Sequence, residues 1–189
     1  GWHSYSCDYL IGAKYLAEAL GGAVDGLSED NILGLSEFVG QVGDAARGGL
    51  PLDEFQKRQR MYKDAELQSL IDGCALIDGA GGDVVIDSTG SICELDAPEV
   101  IEALGARSLF VYIKVRQEGH GEILRRAVEY PKPLYYAPDF LLERLAFYKA
   151  QFDVESVSAI EPVEFLRWVF PCLFEARLAK YQALADRYG

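Results

Sequence analysis

The chain has 189 residues, half of them hydrophobic and a quarter charged, which describes one globular domain, or one with a sizeable insertion, able to bury a core. Its formal charge of −12 excludes a nucleic-acid partner, because phosphate backbones need a basic stripe. The basic clusters, Lys57-Arg58-Gln59-Arg60 and Arg125-Arg126, are local, so any phosphate handling requires a small focused pocket.

No apolar run reaches the length of a membrane span and no signal peptide is visible. Cys7, Cys74, Cys93 and Cys172 lie far apart without a C-x-x-C, and His3 and His120 are solitary, so buried free thiols in a reducing cytoplasm are expected. The chain opens at Gly1 directly in strand-like sequence and stops at Arg187-Tyr188-Gly189, and both ends read as cuts through a longer protein.

Trp2–Cys7 alternates aromatic and small residues and predicts a short strand. Asp8 stands where a helix N-cap is expected, and Tyr9–Leu20 carries helical spacing that stops at Gly21-Gly22. Asp8 with Lys14 reads either as a substrate-binding pair or as a cap and a solvated lysine. Ser28-Glu29-Asp30 predicts the start of a second helix, with Ile32, Leu35, Val39 and Val42 in phase.

Pro51-Leu52-Asp53-Glu54 begins the longest helix, predicted to end near Leu70 or Ile71. Leu52, Phe55, Tyr62 and Leu70 share one face, while Gln56, Lys57, Arg60, Lys63 and Glu66 fall on a solvated one. Residues 22–75 therefore read as a helical insertion beside a sheet.

Gly79-Ala80-Gly81-Gly82 is not a phosphate loop: it precedes a strand and lacks the Gly-Lys-Ser/Thr ending. The stretch from Asp83 to Ser91 is the pivot of the sequence. Val84-Val85-Ile86 is a β-branched run that predicts a strand buried on both faces, and Asp87-Ser88-Thr89-Gly90 would stand at its carboxyl edge. In an open α/β sheet that edge is where ligands bind.

Asp96, Pro98 and Glu99 spell a capping box and a helix to Gly105, and Ser108–Val115 predicts a second buried strand. Strand, helix and strand would make a right-handed βαβ unit. Gln117–Glu129 is helical, Pro131–Pro138 is a loop, and Phe140–Phe152 is helical again. Helix, loop and helix with Arg125, Arg126 and Lys132 at the bend suit a lid over a phosphate site, or arginines that merely complement a helix end. Val154–Ile160 predicts a short strand. A long helix follows from Glu161-Pro162 to Tyr188, which Pro171 should kink or divide.

In this order the parts resemble the shikimate-kinase-like and nucleotide-kinase-like branch of the P-loop NTPases, over roughly residues 83–189 and more loosely 2–20. Asp83–Gly90 is similar to the family's central strand and substrate loop, and Leu109–Val115 to the next strand. Arg125-Arg126 with Lys132-Pro133-Leu134 is similar to its lid, and Arg177–Asp186 to the helix after the lid. Tyr5–Tyr9 resembles a segment of bacterial proteins described as ATPases. The family's Gly-x-x-x-x-Gly-Lys-Ser/Thr loop does not occur in this chain, which leaves two readings: a segment carried elsewhere in a longer parent, or a non-catalytic relative.

The resemblance implies a three-layer α/β/α fold with a mainly parallel sheet of few strands, the helical insertion at 22–75 and a helical lid at 116–152. It implies ATP and Mg²⁺ as cofactors and a small anionic or hydroxyl-bearing substrate. Asp87 would be the Mg²⁺-side acid and Asp8 the group that orients or deprotonates the acceptor. Arg125, Arg126 and Lys132 would close on phosphates, and Lys14, Ser88, Thr89 and Gly90 would hold the substrate. The competing expectation is a protein-interaction module that turns nothing over, with a second copy or another protein as partner. A Rossmann-type cofactor enzyme is disfavoured, since no strand leads into Gly-x-Gly-x-x-Gly.

Overall fold

The computed structural model describes residues 1–20 and 29–189, and of residues 29–33 the backbone alone. It is mostly helical, around one small parallel sheet. Strand β1 (His3–Ser6) runs straight into α1 (Cys7–Leu10) and a π-helical turn, Ile11–Tyr15. Helix α2 (Glu29–Val39) and α3 (Leu52–Gly79) follow, then β2 (Val84–Asp87), α4 (Pro98–Gly105), α5 (Gln117–Glu129), α6 (Pro138–Phe152) and α7 (Pro162–Tyr188). The cap expected at Ser28 lies outside the described residues.

β1 and β2 pair in parallel, His3 opposite Val84 through Ser6 opposite Asp87. A parallel pair needs a long crossover, and α3 forms the last leg of it. This helix, read from sequence as part of an insertion, is the spine of the molecule. Phe55 packs with α6 and α7, where Leu141, Leu145, Tyr148, Phe165, Val169 and Leu173 form the largest core. Tyr62 and Ala65 pack on Ile11, Leu16, Leu35 and Val39. Leu70 joins Cys7, Ile92, Leu95, Ile101 and Leu104 beneath the sheet. Each fully buried side chain of this size contributes about 1.5–3 kcal/mol, so α3 is stapled at three points along its length. It therefore runs to Gly79, past the end expected near Leu70: Gly73, Cys74 and Ile77 are still covered by sheet and core.

Several sequence expectations are corrected. Ser6, not Asp8, caps α1: its hydroxyl accepts the Tyr9 N–H at 3.5 Å. Asp96 does not cap α4 either, because it adopts a left-handed backbone (φ 48°) and Ala97 takes the cap position. β2 is covered on one face only, leaving Val85 half exposed.

The predicted strand at 108–115 does not form, so the strand–helix–strand unit expected over residues 84–115 is not made. Phe110 and Tyr112 lie on α7, with ring centroids 5.1 Å from Tyr188 and 5.3 Å from Tyr181, and the Phe110 N–H is given to the Tyr188 carbonyl. Leu109, Val111 and Ile113 point away and are 71, 77 and 89% exposed. β-branched composition suits a pleated surface only when a neighbouring strand supplies one. Val154–Ile160 likewise holds a 3₁₀ turn (Val157–Ala159) instead of a strand.

Pro171 leaves α7 continuous, because Val169 and Leu173 on either side of it are anchored in the same core, offsetting a cost of about 3 kcal/mol. Among the described residues no helix is long and apolar enough to cross a membrane. The four cysteines are free thiols; Cys7 is buried and the other three are half-buried.

Candidate functional site

The parallel register brings the carboxyl ends of both strands together. Asp87 ends β2 opposite Ser6, and Asp8 follows two residues after Ser6 in the first turn of α1. Both acids reach solvent. The Asp8 carboxyl is held above its usual value, chiefly because the surrounding protein desolvates it and further because Asp87 repels its negative form.

Behind them lies a carboxyl that the sequence placed on a solvated face. Glu66 is fully buried. It stands in phase with Phe55, Gln59, Tyr62, Ser69 and Gly73, which together form the buried stripe of α3. That spacing could have been seen; its polar composition hid it. Thr89 donates its hydroxyl to one Glu66 oxygen and Ser91 to the other at 2.6 Å. The Glu66 carbonyl accepts from Ser69 Oγ at 2.7 Å, and the Ser69 carbonyl accepts from Tyr5 Oη at 2.6 Å. α3 is thus tied to the loop after β2 through the Glu66 side chain, and to β1 through Tyr5 on the Ser69 carbonyl. Burial pushes the Glu66 carboxyl up to about 7, against the opposing pull of the two hydroxyls.

A second buried acid, Glu94, also escaped the sequence reading. It accepts from Lys180 Nζ at 2.8 Å and, more distantly, from Arg177 at 3.4 Å. Arg177 also donates to the Tyr135 carbonyl at 2.9 Å.

The remaining sequence-predicted residues divide. Ser88 and Gly90 are exposed on the loop beyond Asp87, whereas Thr89 is buried and spent on Glu66. Gly90 also lines a cavity of about 250 Å³ beside α5 and α7. Lys14 reaches Asp72 at 2.6 Å, and Tyr15 donates to the same carboxylate, which is held down at about 2 by these partners. Arg125 is engaged by Glu122 and Glu129 of its own helix, at 2.8 and 2.5 Å. Arg126 lies exposed in the last turn of α5, and Lys132 is exposed in the following loop. Within the segment read as a lid, α6 is built into the largest core, while α5 buries none of its residues.

Among the described residues no three His, Cys, Asp or Glu side chains are grouped to hold a metal. The acids that face solvent together are Asp8 and Asp87, and Mg²⁺ is commonly held by one or two carboxylates with phosphate oxygens and water completing the shell. The cation half of a Mg²⁺–nucleotide site is therefore compatible with these residues, whereas the sequence contains no Gly-Lys-Ser/Thr turn for the phosphates.

Comparison with protein-family models, with curated proteins and with solved structures gives no match for this chain.

Proposed function

We propose that the chain is the substrate-side part of an ATP- and Mg²⁺-dependent phosphotransferase or ATPase of the nucleotide-kinase-like kind, acting on a small anionic or hydroxyl-bearing substrate in the cytoplasm. The observation that supports this reading is the side-by-side position of Asp8 and Asp87 at the carboxyl ends of a parallel pair. In the proposed fold that pair belongs to a larger three-layer α/β/α sheet. The chain works with a phosphate-binding loop that these 189 residues do not contain.

Bound Mg²⁺ would neutralise charge on the phosphates. Asp87 holds the cation side. Asp8, its carboxyl raised by desolvation and by neighbouring Asp87, accepts the proton of a substrate hydroxyl. Glu66 keeps Thr89 and Ser91 fixed, so that Ser88 and Gly90 are presented at the mouth.

A second reading has its own observation. Leu109, Val111 and Ile113 form an exposed apolar row on a segment with strand composition and, among the described residues, no strand partner. An interaction module that accepts a strand from a protein partner would use such a row.

Titration of the protein with ATP·Mg²⁺, followed by melting temperature, separates the two. Without the phosphate loop the phosphotransferase reading expects only weak binding, through Mg²⁺ at Asp8 and Asp87, and so a rise confined to several millimolar that Asp87→Asn removes without changing the circular dichroism spectrum. A midpoint that stays flat overturns it in favour of the module.

A further inference from the structure

The cavity of about 250 Å³ lies between α5, α7 and the irregular segment before α5. Its walls are apolar: Tyr112 and Val115 from that segment, with the exposed Ile113 only at the rim, Ile123 from α5, and Phe170, Phe174 and Leu178 from α7. A dry apolar cavity near 150 Å³ accepts benzene, so this one has room for a flat group of about two fused rings. His120 is held edge-on to Phe174, with centroids 5.0 Å apart, and its Nε2 lies 3.3 Å from the Val115 carbonyl. One wall of the cavity is therefore braced from within.

The polar pole of the cavity is Arg177, flanked by Tyr181 and Gly90. The Arg177 Nε is sealed from solvent and has no acceptor among the described residues. Its terminal nitrogen shares Glu94 with Lys180, so one carboxylate stands between two cations. Glu66, the next acid inward, already has both oxygens taken by Thr89 and Ser91. A cationic side chain at one end of an otherwise largely apolar lining fits a ligand that is apolar along its length and anionic at one end.

We infer that this cavity binds a small aryl carboxylate of about two fused rings, its ring system between α5 and α7 and its carboxylate on Arg177. The inference goes beyond phosphoryl transfer and does not rest on it. Binding requires neither ATP nor Asp8 and Asp87.

Calorimetric titration with 2-naphthoate, and with the neutral 2-naphthalenemethanol as its counterpart, tests the assignment. The acid should bind saturably, one per chain, at least roughly tenfold more tightly than the alcohol, as expected for a hydrogen bond to a charged group. Ile123→Trp, which fills the slot from a partly covered position on α5, should abolish binding of both. Arg177→Gln should bring the acid down to the affinity of the alcohol.

The inference is overturned if neither compound saturates at several millimolar or if acid and alcohol bind equally. Binding that survives Ile123→Trp also overturns it, by locating the compound elsewhere, such as on the exposed Leu109 and Val111. Should Arg177→Gln fail to fold, the preference of the unaltered protein and the Ile123→Trp result still decide. A flat ATP·Mg²⁺ titration would end the phosphotransferase reading and leave this one standing.

Discussion

Glu66 and Asp72 sit on the same helix and are both acidic, yet their surroundings drive them in opposite directions. Glu66 is sealed in the core with two neutral hydroxyls, and burial raises its carboxyl to about 7. Asp72 stays near water, bonded first by Lys14, then by Tyr15 and Gln68, and is lowered to about 2. Hydroxyls alone do not repay the loss of hydration of a buried charge; a neighbouring cation at the surface lowers a carboxyl with little burial to overcome. The same residue class thus marks a buried joint at one position and a surface tie at the other.

The strongest way to break this comparison is to remove the buried joint. Glu66→Ala leaves Thr89 and Ser91 without their acceptor and opens a cavity, and it should cost about 3 kcal/mol of unfolding free energy at pH 5. Urea denaturation measures this; a loss below about 0.5 kcal/mol would mean that the joint is not structural.

The next effect is the pH dependence. The folded-state value for Glu66 lies above its ordinary 4.5, so its contribution is complete below 4.5 and is lost as pH rises through about 7. Stability of the unaltered protein should fall across that window by an amount of order 3 kcal/mol. Glu66→Gln should flatten the profile there, and an unchanged slope would assign the titration to another group.

The smallest effect sharpens the other side. Asp72 is depressed, so its contribution is present above the ordinary 3.8 and is lost as pH falls towards 2. Asp72→Asn should cost at most about 1 kcal/mol at pH 7, less in high salt, and nothing near pH 2. Thermal melts at the two pH values and two salt concentrations would show it; a salt-independent loss would argue that Tyr15, not Lys14, carries the contact.

Local rules were legible wherever a segment's partner is itself or its immediate neighbour. Helices α5 and α6 appear with nearly the expected bounds, and β1 and β2 both form where their alternation and β-branched run indicated. The end of β2 was legible too, since a β-branched strand running into Asp-Ser-Thr-Gly marks a strand end regardless of what lies beside it. The burial of Glu66 was half legible: its phase with Phe55 and Tyr62 was available, but a polar side chain at an apolar phase declares nothing until Thr89 and Ser91 arrive from across the sheet. The roles expected of Arg125 and Lys14 depended on which acids reach them, and Glu129 and Asp72 reach them in this fold.

By itself the sequence determined the helical segments, the parallel-strand sites at residues 3–6 and 84–87, and the acids at their ends, because helix periodicity, chain stops and strand composition act within a few residues. The tertiary structure decided that Ser108–Val115 lies on α7 as an irregular segment, that Glu66 is buried, and that Arg177 meets an apolar cavity. Each of these turns on what a distant part of the chain supplies: a strand for an edge to pair with, a hydroxyl for a carboxyl to accept, or an acid for a guanidinium to meet.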